Sequence, residues 1–335
     1  MSSGPAQTIT ALMEGYYVVR ILDAFHSAGL LDHLSAGATV DALSAKFGYE
    51  RDRLAALLDY LSLRSDVVKK TALGYHVATE DPETQFALHL LDQYVGAYGP
   101  CLEALSDILG GRVDGGALVD RARHAAAFAR ADRSQADLDT LRLLSELRIN
   151  NLVDLGCSTA GLMIEYALRN PEARCIGIDC SEPAIEEAQR RIARSGLSGQ
   201  VRAVEGDLSE VDGLLSVEER DAVECVIATN VANAYFSDPD GTEIDAWFAT
   251  LKTAFPRRIM LLGDYFGSLG HPLDDASARA RGLFHDVAQL LSGQGIPPGS
   301  LVKWTEVLER NGCTIIRSFE GEGGDMRRFI LLYQL

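Results

Sequence analysis

Leu152-Val153-Asp154-Leu155-Gly156-Cys157-Ser158-Thr159-Ala160-Gly161 is an apolar run, then a turn of small residues, then the start of a helix. Val153 and Leu155 suit a strand buried on both faces, as in a parallel sheet. Gly156 lets the backbone turn sharply or lie close to a ligand. Cys157 to Gly161 keep side-chain bulk low where the next helix begins. That helix brings unpaired N–H groups and the positive end of its dipole to the same place. At the carboxyl end of the first strand of an α/β sheet, such a turn is where nucleotide-like ligands sit. Taken alone, the string also fits an ordinary tight turn.

Two further stations follow at βαβ spacing. Cys175-Ile-Gly-Ile-Asp179 is a second apolar run that ends in an acid. The acid lies about twenty residues past the first turn, the spacing at which a carboxylate reaches ribose hydroxyls. Ser181 is the expected N-cap of the next helix, Pro183 fits its first turn, and Ala184 to Arg194 has amphipathic periodicity. A third run, Val201 to Glu205, closes with Gly206-Asp207-Leu208. A Gly-Asp pair at a strand end brings backbone and a carboxylate toward the edge of a base. Asp179 or Asp207 alone reads equally as a cap or turn acid; three stations in order point to a nucleotide site.

Val153 to Ala160, Gly177-Ile-Asp-Cys-Ser181 and Glu205-Gly-Asp-Leu208 resemble the motifs of the class I S-adenosylmethionine (SAM)-dependent methyltransferases. The resemblance implies an α/β, Rossmann-like, seven-stranded SAM-binding domain. It places the methionine part of SAM over the loop at Gly156, the ribose on Asp179 and the adenine amine on Asp207. Asp154, Cys157, Ser158, Cys180, Gly206, Leu208, Thr229 and Asn230 complete the expected cofactor site. One departure matters: the family usually has Gly where this chain has Ser158 and Ala160.

Composition agrees with a two-domain globular protein. The chain has 335 residues, of which 47% are hydrophobic, enough for a large core. No apolar run is long enough to span a bilayer, and Met1-Ser-Ser-Gly-Pro-Ala6 lacks the regions of a signal peptide. Six scattered cysteines form no CxxC pair, so reduced thiols in a cytoplasmic protein are expected rather than disulfides or zinc. A net charge of −17 argues against nucleic acid or an anionic membrane as partner. It does not identify a substrate.

The N-terminal third has a different pattern. Ile9, Leu12, Tyr16, Val19, Leu22, Phe25, Leu30 and Leu31 recur at helical spacing over 9–35. Thr39 to Gly48 reads as a capped short helix, 51–63 as another helix, and 66–77 as a small hairpin. That arrangement predicts a winged-helix module over 1–83. Its mixed charge offers no basic recognition helix. A helical linker is expected over 84–148, broken at Gly110, Gly111, Gly115 and Gly116, and the SAM domain over 149–335. A largely all-helical winged-helix domain ahead of a SAM domain resembles the small-molecule O-methyltransferases of natural-product pathways. There the first domain makes a homodimer and covers one side of the acceptor pocket. Gly15-Tyr16-Tyr17 through Gly29-Leu-Leu-Asp-His-Leu34 carries that likeness.

The chemistry is expected after the fourth and fifth strands, read as Ala222 to Ala228 and Arg258 to Asp264. Cys313 to Phe319 and Arg328 to Tyr333 read as a final antiparallel pair, with helical patterns at 285–295 and 300–312 between. Many members of the resembling family carry His–x–Trp after the fourth strand, and that His deprotonates the acceptor. Aligning Phe236-Ser237-Asp238 with the family's Trp-Ser-Asp puts Ala234 at the position of the base. Asn230, Asn233, Tyr235, Asp264 and Tyr265 are the candidate replacements. An Asn amide both donates and accepts, and a Tyr ring attracts a sulfonium by a cation–π contact. Asn233 and Tyr235 fit a capped turn and a core aromatic equally well. His271 and His285 beside Asp264 suit a metal by residue type, but no tight spacing supports one. Trp304 is expected in the core.

Three functions fit these residues: methyl transfer from SAM to a small natural-product precursor, cyclisation of SAM alone, or an inactive SAM-binding regulator. In the second, the α-amine of SAM attacks its own γ-carbon, giving azetidine-2-carboxylic acid and methylthioadenosine.

Overall fold

A computed structural model describes residues 5–78, 81–130, 135–271, 280–323 and 326–335. The chain divides into two compact units, Met1–Gly99 and Pro100–Leu335.

In the first unit, helices α1 (Pro5–Ser27), α2 (Leu30–His33), α3 (Val40–Phe47) and α4 (Arg51–Arg64) precede a ladder of β1 (Lys69–Thr71) and β2 (Gly74–His76). Helix α5 (Pro82–Leu90) runs on as a π-helix over Leu91–Ala97. The unit is thus helical apart from one short ladder. The apolar periodicity over 9–35 is divided between α1 and α2, because Gly29 takes φ 73 and turns the chain. Thr39 caps α3 by accepting from the Ala42 amide, and Gly48 ends it at φ 68. Leu54, Leu58 and Leu61 recur at helical spacing on α4 and bury with Leu30, Leu31, Leu43 and Val68. The segment over 84–97, expected as linker, packs within this unit: His26 on α1 reaches Asp92 at 2.9 Å.

The second unit opens with helices α6 (Gly99–Glu103) and α7 (Leu105–Leu109), then α8 (Arg121–Arg130) and α9 (Gln135–Glu146). The glycines at 110–116 fall between α7 and α8, as expected. Strand β3 (Asn151–Leu155), helix α10 (Gly161–Arg169), β4 (Arg174–Asp179), α11 (Glu182–Arg194) and β5 (Val201–Glu205) form the first half of the sheet. Short helices α12 (Val211–Leu214) and α13 (Val217–Ala222) precede β6 (Cys225–Thr229), α14 (Thr242–Ala254) and β7 (Ile259–Tyr265). Helices α15 (Ala280–Leu291) and α16 (Leu301–Arg310) and strands β8 (Thr314–Gly323) and β9 (Met326–Gln334) complete the unit.

The seven strands lie in the order β5-β4-β3-β6-β7-β9-β8. Those from β5 to β7 are mutually parallel, and β9 runs antiparallel to both β7 and β8. Strand order reverses between β3 and β6, so a ligand crevice is expected outside their carboxyl ends. Side chains of alternate parity bury on opposite faces. Val153, Leu155, Val226 and Leu262 pack with Trp247, Phe248 and Trp304. Leu152, Cys225, Ile227 and Leu261 pack with Met163, Ile185 and Ala188. Trp304 is a core residue, set against Phe236 and Phe329. The fourth parallel strand starts at Cys225, three residues later than the apolar pattern suggested. A capping box of Ser216 and Glu219 makes 217–222 a helix instead.

Candidate functional site

The turn after β3 is shaped from the neighbouring βα unit. The amides of Gly156 and Cys157 both donate to the Ile178 carbonyl, at 2.8 and 3.1 Å. Ser158 donates its amide to the Asp179 carboxylate at 2.9 Å. Arg191 on α11 donates to the Thr159 carbonyl at 3.2 Å and to its hydroxyl at 2.5 Å. Ser158 and Ala160 take φ 48 and φ 61, the left-handed region that glycine favours. The turn thus has a glycine-type backbone at two residues that carry side chains, at a cost of roughly 1–2 kcal/mol each.

Gly156 is required twice over. Its φ is 72, and a Cβ there would lie 2.3 Å from Cγ2 of Val231 in the loop after β6. The two loops at the strand-order reversal thus touch through a glycine. Gly177 does similar work on β4, where a Cβ would meet the Cys157 thiol at 2.6 Å. Cys157 is buried there and its thiol is pushed upward in pKa by burial. With its amide on Ile178 and its carbonyl accepting from Ala160, Cys157 shapes the turn.

Three carboxylates mark the strand ends. Asp154 is buried within β3, and burial, then the charges of Asp137 and Asp179, push its pKa up to about 8. A cation brought beside it would offset that desolvation, which fits a site that takes an ammonium. Asp179 ends β4 and accepts from the amides of Ser158 and Ser181, both at 2.9 Å. Ser181 is the N-cap of α11, and although its side chain makes no cap bond, its own amide donates to the Asp179 carboxylate. Burial raises the pKa of Asp179 against those two amides and the nearby Arg121. Asp207 is exposed after β5 and caps the turn at Leu208–Glu210 through the Ser209 amide and hydroxyl, both at 2.8 Å. Both of those bonds fall on one oxygen of Asp207. Gly206 ties β5 to β4 by donating to the Asp179 carbonyl at 3.0 Å, and Leu208 is buried. Cys180 is an exposed free thiol whose pKa is raised by burial of its sulfur and by Asp179.

Across the reversal, Thr229 ends β6 and Asn230 follows at φ 54, donating its amide to the Gly263 carbonyl at 2.7 Å. The next turn carries Asn233, whose amide donates to Asp264 at 3.0 Å. The other carboxylate oxygen of Asp264 accepts from the Tyr265 amide at 2.8 Å. Asp264 is almost fully buried, and desolvation outweighs those amides and Arg328, bringing its pKa to about 7. The side-chain carbonyl of Asn233 is buried with no hydrogen-bond partner among the described residues. Tyr235 stacks on Trp247 with ring centroids 5.1 Å apart, so one face of its ring is covered. Burial raises its phenol well above the ordinary range, with Asp207 and Cys180 adding to the effect. Tyr235 thus lies within electrostatic reach of Cys180 after β4 and Asp207 after β5.

Tyr265 packs edge-on to His285 at 4.6 Å. His285 shares the buried face of α15 with Arg281 and Gln289, at i, i+4 and i+8. Burial and the charges of Arg281, Arg328 and His124 lower its pKa to about 3, so its imidazole stays neutral. Asp286 holds the loop after β7 by accepting from the amides of Ser268 and Leu269, at 2.6 and 2.7 Å. His271 meets the Pro297 carbonyl, 3.3 Å away, rather than joining Asp264 and His285. Among the described residues no group of His, Cys, Asp and Glu is arranged to hold a metal ion.

The donor set fits SAM. An ammonium, a ribose and an adenine would meet carboxyl groups of the right kind here: Asp154 buried in β3, Asp179 at the end of β4 and exposed Asp207 after β5. Sequence reasoning named these three, and because β3, β4 and β5 are parallel neighbours their carboxyl ends lie along one edge of the sheet. It missed Arg191, Val231 and the polar face of α15. Arg191 lies in an amphipathic helix where a cation reads as solvent-facing, and nothing local pairs it with Thr159. The i, i+4, i+8 spacing of Arg281, His285 and Gln289 was the one available signal for α15.

Comparison with known proteins agrees with this fold. The sequence profile of a family described as "Methyltransferase domain" matches residues 152–253. The chain is 32% identical over 120 residues to methyltransferase ungE' of Aspergillus campestris. That match covers 35% of this chain and 32% of the relative, so it spans about a third of that protein. Among solved structures, the mitomycin 7-O-methyltransferase MmcR superposes with a TM-score of 0.73 at 18% identity, covering 98% of this chain and 97% of MmcR. A variant of LepI in complex with SAH and a substrate analogue gives 0.71 at 14% identity, over 99% of this chain and 90% of its own. At such identity these likenesses establish the fold.

Proposed function

We propose, from the match of residues 152–253 to a family described as "Methyltransferase domain", that this protein passes the methyl group of SAM to a small-molecule acceptor, with Asp264 taking the acceptor's proton. Asp264 is the observation that carries this reading. Its pKa near 7 matches the working pH of a general base, and it sits where β7 ends, one loop from the first turn. Ala234 cannot accept a proton, and His285 is a poor base because its conjugate acid has a pKa of about 3. Asp154 would hold the SAM ammonium, Asp179 its ribose and Asp207 its adenine. In-line displacement then needs little beyond alignment, since proximity alone supplies roughly 7–11 kcal/mol of the barrier.

Incubation of the purified protein with SAM and a panel of phenols, enols and amines tests the reading. S-adenosylhomocysteine formed only with an acceptor supports it. In Asp264→Asn, kcat with a phenol of high pKa should fall by about a hundredfold or more. In the parent enzyme kcat should rise with pH through about 7 as Asp264 loses its proton. An unchanged rate and pH profile in Asp264→Asn removes Asp264 from the mechanism.

A second reading rests on the unpartnered carbonyl of Asn233 beside Asp264. Two acceptors together suit an ammonium that must lose a proton. In cyclisation of SAM, the neutral amine would form a bond to the γ-carbon as the carbon–sulfur bond breaks, and Asp264 would take the proton. Methylthioadenosine from SAM alone, above the spontaneous background, would select this reading. SAM bound with neither product would leave a regulatory role.

The first unit supports a homodimer. Ile9, Leu12, Met13, Tyr16 and Tyr17 form an exposed apolar stripe at helical spacing on α1. Sedimentation of the parent protein as a monomer at micromolar concentration would sink this assignment.

A further inference from the structure

We infer that Arg191 is the positioning residue that holds a glycine-poor turn in the shape the SAM site requires. The inference rests on the reading of residues 153–160 as that site. Ser158 and Ala160 both take the left-handed conformation, and Thr159 lies between them. An L-residue left to itself favours negative φ, because its Cβ crowds the carbonyl in the left-handed region. Two such residues on either side of Thr159 need an external restraint.

The hydrogen bonds supply it from three directions. Ile178 fixes the entry of the turn through the amides of Gly156 and Cys157. Asp179 fixes the Ser158 amide. Arg191 grips Thr159, through its backbone carbonyl and its hydroxyl. Thr159 is buried, so a displaced guanidinium would leave that hydroxyl and carbonyl to find new partners. The Ala160 amide closes the turn onto the Cys157 carbonyl at 2.9 Å, which makes the residue held by Arg191 part of a tight loop.

The clamp also explains how this chain dispenses with two glycines. Glycine reaches positive φ without steric cost, so a turn with Gly at both positions holds its shape with less help. Here the same backbone is enforced by a side chain from α11, the helix that begins at Glu182, shortly after Asp179. The ribose acid and the clamp are therefore carried on one βα unit, and a shift of α11 moves both.

The test is a cycle read by calorimetric titration with S-adenosylhomocysteine. Arg191→Gln in the parent background should weaken binding at least tenfold, and Thr159→Val should weaken it less, because the carbonyl contact survives. Arg191→Lys should recover part of the loss. In a Ser158→Gly, Ala160→Gly background, Arg191→Gln should cost less than threefold. A mere packing role would cost the same in both backgrounds, and that result overturns the inference. Near-ultraviolet circular dichroism of Trp247 and Trp304 verifies that each variant is folded. Failure of the parent itself to bind S-adenosylhomocysteine would instead remove the site reading, and the clamp with it.

Discussion

Gly156→Ala is the sharpest probe of how the two halves of the sheet meet. The new Cβ would stand 2.3 Å from Val231 Cγ2, where carbon atoms rest at about 3.5–4.0 Å. One loop must retreat by more than an ångström. Overpacking of this kind costs about 1–3 kcal/mol. Alanine at φ 72 adds about 1–2 kcal/mol of backbone strain. The stiffer unfolded chain returns about 0.4–1 kcal/mol. The balance is a loss of about 2–4 kcal/mol from the second unit, summed from these three contributions. Both tryptophans, Trp247 and Trp304, are buried in that unit, so their fluorescence in a urea titration follows it and not the first unit. Val231→Ala removes the struck methyl while leaving φ unchanged. The double variant should therefore recover the overpacking part and keep the strain, a favourable coupling of about 1–3 kcal/mol. S-adenosylhomocysteine affinity should drop in Gly156→Ala and return in the double variant. A loss below about 0.5 kcal/mol, or no coupling with Val231→Ala, would refute the packing argument.

Asp154 should make the ligand-free protein less stable as pH rises. Its folded pKa of about 8 lies above the ordinary value of 3.8, so the folded state keeps a proton that the unfolded state has released. The stabilisation is complete below about pH 4 and is lost progressively up to about pH 8, at no more than about 1.4 kcal/mol per pH unit. Urea midpoints between those limits check the sign, and Asp154→Asn should flatten the slope toward what Asp264 leaves. Binding of S-adenosylhomocysteine should show the opposite trend, tightening as pH rises toward about 8, because Asp154 must ionise to meet the ligand ammonium. A pH-independent affinity would place the ammonium elsewhere. Asp179→Ala should weaken S-adenosylhomocysteine at least tenfold by titration and also loosen the turn, since Ser158 loses its acceptor. Affinity unchanged in that variant removes the ribose assignment.

Much of this architecture was written into local patterns. Apolar runs ending at Leu155, Asp179 and Glu205 located three parallel strands within a residue or so. Thr39 and Gly48 marked both ends of α3, because capping is chemistry between near neighbours. Misplaced features share a different cause. The linker expected over 84–148 lost its first part to the first unit, where Asp92 meets His26 from 66 residues away. The start of β6 was misjudged because Ala222 and Val223 are apolar in either a strand or the end of a helix. Ser181 is the N-cap residue of α11 as expected, but its side chain makes no cap bond, and Pro183 at the second helical position has no N–H to offer it. Asp264 was named as a base from its place after a strand, but its pKa near 7 comes from burial that no local pattern reveals.

By itself, the sequence determined an α/β chain of βαβ spacing whose first turn carries Ser158 and Ala160, and it showed a resemblance to SAM-dependent enzymes. It placed Gly156 after the first strand and acids, Asp179 and Asp207, at the ends of the next two. Those are statements about residue type and spacing, which strands and helices translate directly into position. Tertiary structure decided how the turn keeps its shape: Ile178, Asp179 and Arg191 reach it across the sheet and hold Ser158 and Ala160 left-handed. It also set the pKa of Asp264 near 7, by burying that carboxyl beside Asn233. Strain relief and desolvation both depend on what lies within a few ångströms in space, and the chain order does not contain that distance.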